Sequence, residues 1–346
     1  MMTPTLHDTS TVPDALLTLL ESHLPYSLPV LRRLQFARNF PGGLRPTAHI
    51  LYAYHAAAAE EEDTTGQPAP AVGNHHFVAA YVDLVGWPET ECYIYSTLED
   101  SSAIPNTDPN VPVPIPVAVS GAEALACDEL ALTVLRRIRR LEAGTTYDRG
   151  LPRGEVMVGS LHEVLRQRLM ARGVRMHKTA NVTGPVDWHL LGKWLFRVED
   201  LVGGGGGEKS AVLPAGMLWD TVRREDLGLV RARTSIARQE ATLLLLPSTV
   251  IRLHDNTPIA WAFLSIDGTL STLHVEEPYR GLGLAKAVAS RVMRDHLKDF
   301  GNDGWGAADV FNANFQSQGV CKSIGGKHSW TIVWAILDLF SVGDAI

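Results

Sequence analysis

A strand that ends in a glycine turn and leaves it as an amphipathic helix presents a row of free backbone N–H groups, and few folds are built around such a row. The chain carries this passage at Leu273-His-Val-Glu-Glu-Pro-Tyr-Arg280, followed by Gly281-Leu-Gly-Leu-Ala285. Beyond it, Leu284, Val288, Val292, Leu297 and Phe300 fall along one face of a helix predicted over 284–300. Unpaired N–H groups at a helix start sit at the positive end of its dipole and attract phosphate. Glycines let the main chain approach the anion, and Arg280 adds a charged donor beside them.

Three glycine-loop readings compete. A dinucleotide fingerprint needs a third Gly or Ala at position 286, where the chain has Lys286. A P-loop needs Gly-Lys-Ser/Thr, but Gly326-Lys327 is followed by His328, and position 321 is Cys321 rather than glycine. The pattern that fits is R/Q-x-x-G-x-G/A, met by Arg280, Gly283 and Ala285.

Periodicity and turn residues predict strands over 216–222, 249–254, 259–266, 269–276, 305–311 and 330–339, and helices over 223–234, 237–246, 284–300 and 315–324. Asp267-Gly268 predicts a tight hairpin turn. The order β-α-α-β-β-β-α-β-α-β is that of an α/β layer with a mixed sheet. In the first half, strands are predicted over 47–54, 77–84 and 91–96, and helices over 122–142 and 161–172. Five glycines, Gly203 to Gly207, mark a linker or exposed loop. The expected division is a first domain over 12–201, a Gly-rich joint over 202–211 and a second domain over 212–346. Stretches 56–70 and 101–116, rich in acids or in Pro, Asn and Asp, read as exposed insertions.

From Ile259 to Ala285 the chain resembles motif A and the preceding strands of the GNAT superfamily, and more narrowly its glycine N-acyltransferase-like, FR47-like branch. The narrower likeness rests on Leu24-Pro-Tyr-Ser-Leu28, on Asp255-Asn-Thr-Pro-Ile-Ala-Trp261 and on Val310-Phe-Asn-Ala-Asn314. The resemblance covers roughly 212–340. It implies a mostly antiparallel mixed sheet splayed at a CoA site, an N-terminal half that is a degenerate copy of the same fold, and transfer of an acyl group from acyl-CoA directly to an amine. It also implies that Arg280, Gly281, Leu282, Gly283, Leu284 and Ala285 hold the CoA pyrophosphate, and that backbone groups of Leu273, His274 and Val275 face the thioester. Asn312 is a candidate for the pantetheine arm, or a cap for the next helix.

Transfer to an amine calls for a base and for a proton donor to the departing sulfur. The family would place a catalytic Glu eleven residues before the motif Arg; here that residue is Thr269. Asp267 and Glu276 are the candidate bases, each also readable as a turn or strand-end residue. Glu277 is a third acid, and His274 has a suitable intrinsic pKa. The next helix has no Tyr, so Ser323 is the candidate acid, with Ser317 and Cys321 beside it. Lys322 and Lys327 are either contacts for the CoA 3′-phosphate or solvated lysines. Trp330 and Trp334 belong to the core or to an acceptor-pocket wall.

The net charge of −7 argues against nucleic acid as partner. No apolar run approaches the ~20 residues of a membrane span. Three scattered cysteines form no CxxC pair, so no metal or disulfide framework is expected, and a reducing, cytoplasmic setting is the simplest reading. Three functions are thus open: an N-acyltransferase acting on a small-molecule amine, a protein or peptide N-acetyltransferase, and a non-catalytic acyl-CoA-binding module.

Overall fold

The computed structural model describes residues 3–55, 76–102, 121–146, 149–178, 190–202, 213–234, 236 and 238–343. The first half runs β1 (Pro4–Thr9), α1 (Asp14–Ser22), α2 (Leu28–Asn39), β2 (His49–His55), β3 (Phe77–Val82), β4 (Cys92–Ser96), α3 (Gly121–Ala143), β5 (Glu155–His162), α4 (Glu163–Ala171), β6 (Arg175–Lys178) and β7 (Leu191–Arg197). The second runs β8 (Met217–Asp220), α5 (Leu227–Ala232), α6 (Glu240–Leu243), β9 (Ser248–Leu253), β10 (Pro258–Leu264), β11 (Thr269–Val275), α7 (Leu284–Phe300), β12 (Trp305–Phe311), α8 (Phe315–Ser323) and β13 (Lys327–Asp338). Apart from β6, the two halves repeat one order of elements, as expected of a duplicated fold.

Among the described residues thirteen strands form one sheet, in the order β1-β2-β3-β4-β5-β13-β7-β12-β11-β10-β9-β8, with β6 pairing β13. The halves exchange their last strands. β13, from the end of the chain, lies antiparallel on β5 of the first half, while β7 lies antiparallel on β12 of the second. β7 and β13 then pair with each other at the centre. The pairings are antiparallel except at β4–β5 and β11–β12. Those two parallel junctions close over short stretches only, at Cys92 with Val158 and at Thr269–Leu270 with Ala307–Ala308. Beyond them the strands part.

Helix α7 buries the predicted stripe of Leu284, Val288, Val292, Leu297 and Phe300 against β9–β11. Helix α3 does the same on β2–β5, in a core that includes Val333, Ala335 and Leu337 of the exchanged β13. Helices α1 and α2 cover the other face, where Leu16, Leu20 and Leu34 meet Tyr81, Tyr93 and Tyr95. A fourth, central cluster joins Leu191, Leu195, Ala307, Trp330 and Ile332 to Leu28.

The structure alters several predicted elements. β1 lies ahead of residue 12, and α1, α2, β6 and β7 had no sequence prediction. The helix predicted over 161–172 starts at Glu163, because Leu161 and His162 finish β5, and the His162 ring accepts the Val164 N–H at 3.1 Å as an N-cap. Helices α5 and α6 are single short turns rather than the longer helices predicted. The glycine run 203–207, stretch 56–70 and most of 101–116 lie outside the described residues.

Arg32 of α2 ties the halves together from a fully buried position. Its guanidinium gives Nη1 and Nη2 to Asp303 at 2.7 and 2.5 Å, Nη1 to Gln35 at 2.6 Å and Nη2 to the Trp305 carbonyl at 2.6 Å. Its stem lies over the 267–268 turn, where a Cβ on Gly268 would come within 2.9 Å of Arg32 Cδ. Removing one partner of a buried pair leaves the other charge uncompensated. Arg32→Met is therefore expected to cost about 3–5 kcal/mol in urea unfolding. A loss below about 1 kcal/mol, as for an exposed pair, would show that Arg32 is not the tie described.

Candidate functional site

The site forms where β11 and β12 separate. Between its pairings to Trp261 and Phe263 of β10, β11 takes three steps, Ser271 to His274, against two. The extra residue is Thr272, whose φ of +51° is left-handed. A β-branched residue there is strained, at a cost on the order of 1–3 kcal/mol. The bulge bends β11 away from its parallel neighbour just after the last shared pairing. The backbone of Leu273 to Val275 is thereby left without a ladder partner on the β12 side, and these are the three strand residues expected to face a thioester.

At the end of β11 the chain makes a short turn, Glu277–Tyr279, and reaches Arg280. Gly281 and Gly283 are both left-handed, at φ +80° and +77°, and Gly283 is the N-cap of α7. In this conformation a side chain is disfavoured even though nothing lies within 4 Å of either Cβ position. The first N–H of this stretch with a carbonyl partner is that of Ala287, to Gly283 at 3.2 Å. Among the described residues, the N–H groups of Gly281 through Lys286 have none. Six successive donors at a helix start therefore face outward, beside exposed Leu282, with Leu284 buried beneath to fix the turn. Arg280, exposed at the turn, donates its Nε–H to the Val275 carbonyl at 3.3 Å. This donor set fits a diphosphate.

The corresponding stretch of the first half has a different sequence. Between Ser96 and Gly121 the sequence contains no glycine, and Glu99 and Asp100 follow β4 directly. Asp100 is already engaged by Tyr95 and His23, at 2.8 and 2.6 Å.

The candidate acids have different surroundings. Glu276 takes both arms of Arg233, at 2.8 and 3.3 Å, and this pairing lowers its pKa. His274 stacks on Trp261 with ring centres 4.8 Å apart, and its Nε2 lies 3.7 Å from Glu276. Burial lowers the pKa of His274, opposed by Glu276 and aided by Arg233 and Arg280. Asp267 is buried at 1 % exposure. Its Oδ1 accepts the Thr269 N–H and hydroxyl at 3.3 and 2.7 Å, while Oδ2 has no partner. Thr269 therefore binds an acid rather than being replaced by one.

On the β12 side, helix α8 is capped by Asn314, whose side chain accepts the Ser317 N–H at 3.0 Å. Asn312 is thus free of the capping role; its carbonyl accepts from Gln318 at 2.8 Å. The Ser323 hydroxyl donates to Val320 within the helix at 2.7 Å. Cys321 is buried, which pushes its thiol up to about 12. Lys322 Nζ lies 5.8 Å from the Trp194 ring. Sequence reasoning missed Lys193 and Asp309, which form a buried ion pair at 2.5 Å across β7 and β12. No sequence pattern links them, because they meet through strand exchange.

The family profile described as the acyl-CoA N-acyltransferase verG N-terminal domain matches residues 2–186. The chain belongs to this acyl-CoA N-acyltransferase family. No curated protein matches by sequence. Among solved structures, a Drosophila protein from a structural genomics consortium aligns with a TM-score of 0.54 at 15 % identity, covering 96 % of this chain and 98 % of that one. A tandem GNAT protein from the clavulanic acid biosynthesis pathway covers 99 % of this chain and 100 % of its own, at 10 % identity and a TM-score of 0.46. A GCN5-related N-acetyltransferase from Sphaerobacter thermophilus gives 11 % identity, a TM-score of 0.43 and 96 % coverage of each chain. The family uses an acyl-CoA co-substrate. Among the described residues no helix is long and apolar enough to cross a membrane, and no His/Cys/Asp/Glu group is arranged to hold a metal.

The Arg233–Glu276 pair gives a direct check on this geometry. Replacing Arg233 with Gln removes the charged hydrogen bond that chiefly lowers the Glu276 pKa. The Glu276 carboxyl is then expected to titrate at higher pH in a carbon-13 NMR titration. An unchanged midpoint would mean that the two side chains do not pair in solution.

Proposed function

We propose that the chain transfers an acyl group from acyl-CoA to a small-molecule amine, both bound at once, in the second half of the molecule. The observation that carries this reading is the row of six unpartnered N–H groups at the left-handed turn Gly281–Gly283, set beside the opened edge of β11. In this reading Arg280 and the N–H groups of 281–285 hold the pyrophosphate. The freed backbone of Leu273, His274 and Val275 lies along the pantetheine, and one of its N–H groups stabilises the developing oxyanion. Asn312, just past the end of β12, would bond the same arm. Bound acyl-CoA supplies the activated thioester; the chain positions it and manages protons.

Of the two acids weighed for the base, Glu276 is held as a carboxylate by Arg233 and serves better to orient His274. Asp267, with a free oxygen, is the better proton acceptor. Ser323 would reach a departing thiolate only after giving up its bond to Val320. In this reading 12–201 is a supporting half, 202–211 a joint and 212–346 the catalytic half, which carries the glycine turn. A cytoplasmic setting, where acyl-CoA is available, suits this reading.

The test is thermal unfolding with acetyl-CoA. At 100 times the dissociation constant, the ligand is expected to add about 2.7 kcal/mol of stability. Arg280→Gln combined with Gly283→Val should abolish the shift, and amine-dependent release of CoA thiol should be present in the parent and absent in the variant. No shift with acetyl-CoA or with longer acyl-CoAs would overturn the reading. A shift without thiol release on any amine would point instead to a binding module.

A further inference from the structure

The two halves also meet where a turn of the first half holds a connection of the second. That turn, residues 83–91 between β3 and β4, is closed by its own backbone. The N–H groups of Gly86 and Glu89 go to the carbonyls of Asp83 and Gly86 at 3.0 and 2.9 Å, and that of Asp83 goes to Glu91 at 2.7 Å. Arg149 fastens it further, donating to the Leu84 carbonyl at 3.0 Å and to the Glu91 carboxylate at 2.9 Å. A Cβ on Gly150 would come within 2.6 Å of the Trp87 ring, so that ring is seated as well. In this fixed turn Glu89 is only 4 % exposed, and a buried carboxylate needs donors. They come from the second half. Oε2 accepts Arg238 Nη1 at 3.0 Å, Oε1 accepts the Gln239 N–H at 3.1 Å, and the Gln239 side chain donates to the Trp87 carbonyl at 3.3 Å.

Arg238 and Gln239 end the connection between α5 and α6, and Arg233 begins it. With six residues, α5 is too short to hold its own end, so the course of the connection depends on its anchors. Those anchors go to different halves. Arg233 grips Glu276 at the end of β11, at 2.8 and 3.3 Å, while Arg238 and Gln239 are gripped by Glu89. Arg238 Nε is buried and has no hydrogen-bond partner, so Glu89 is what keeps this guanidinium inside. Without the carboxylate an uncompensated charge would remain in the interior. The connection would swing outward to hydrate Arg238, and Arg233 would move with it.

We infer that Glu89 is a positioning residue of the acyltransfer site: by holding Arg238 and Gln239 it fixes the connection from which Arg233 grips Glu276, and so sets Glu276 and the neighbouring His274 ring beside the strand that faces the thioester. The inference rests on the acyltransfer reading above. Through Glu89 the first half becomes a working part of the site, at a contact that touches neither the glycine turn nor the strand edge. Arg233 and His274 face Glu276, and Arg280 acts on His274 in turn, so a displaced Arg233 is felt first at the Glu276 carboxylate.

The experiment uses the full chain and reads the Glu276 carboxyl in a carbon-13 NMR titration, assigned by comparison with Glu276→Gln. Arg233 holds this carboxyl low, so loosening Arg233 raises its midpoint. Glu89→Ala is expected to raise the midpoint, in the direction of Arg233→Gln, and the double variant to move it no further than Arg233→Gln alone, because both act through one contact. Acetyl-CoA should stabilise Glu89→Ala as it does the parent. Turnover measured as thiol release with tyramine, hexylamine and glucosamine should fall between about 10- and 100-fold, the scale on which a distant change misplaces reacting groups. If Glu89→Ala does not fold, Glu89→Gln, which keeps an acceptor for the Gln239 N–H, is scored by the same criteria. A folded Glu89 variant with an unchanged Glu276 midpoint is a mere stability clamp; that result overturns the inference and leaves the acyltransfer reading standing. A parent chain that turns over none of the amines overturns both.

Discussion

Neither half of this molecule can complete its sheet alone. The sixth position beside β5 is filled by β13 and the sixth position beside β12 by β7, so each half supplies the strand that closes the other. The cores follow from this exchange. Val333, Ala335 and Leu337 of β13 are packed under α3, and Trp194 and Phe196 of β7 under the second-half helices. Arg32 and its partners Asp303 and Trp305 add a polar tie of the same kind, from a helix of one half to a turn of the other. The exchange also decides which side chains share the interior: Lys193 reaches Asp309 only because β7 has crossed over.

The two parallel junctions of the sheet show how one architecture was put to unequal use. Both close over short stretches and both open beyond them. At the second, a glycine turn follows, with donors pointing outward. At the first, acids follow, and Asp100 is already bound by Tyr95 and His23. A phosphate would meet negative charge there. The first half repeats the order of elements, and its loop at Tyr26 helps to roof the centre of the sheet.

Much of the second half was legible in the sequence because its signals are local. The glycine turn, the stripe of α7 and the hairpin around Asp267-Gly268 each depend on residues within a few positions of one another, and all are present. What was not legible depends on distance along the chain. β7 reads as a generic apolar stretch, and nothing in Leu191–Arg197 says that its neighbour is residue 305 rather than a strand of its own half. Asp309 looks like one polar residue in a strand until Lys193 is placed opposite it.

Thr272 has a consequence for how this protein can change. Its left-handed backbone is a standing cost that glycine or asparagine would reduce, so selection for heat resistance alone would favour replacing it. Yet the β-branched side chain also stiffens the bulge that holds β11 away from β12, and a looser residue would let the wedge between the strands fluctuate. Robustness and a permanently open cleft thus pull this one position in opposite directions. A lineage that had abandoned the cleft would be free to settle the contest in favour of stability.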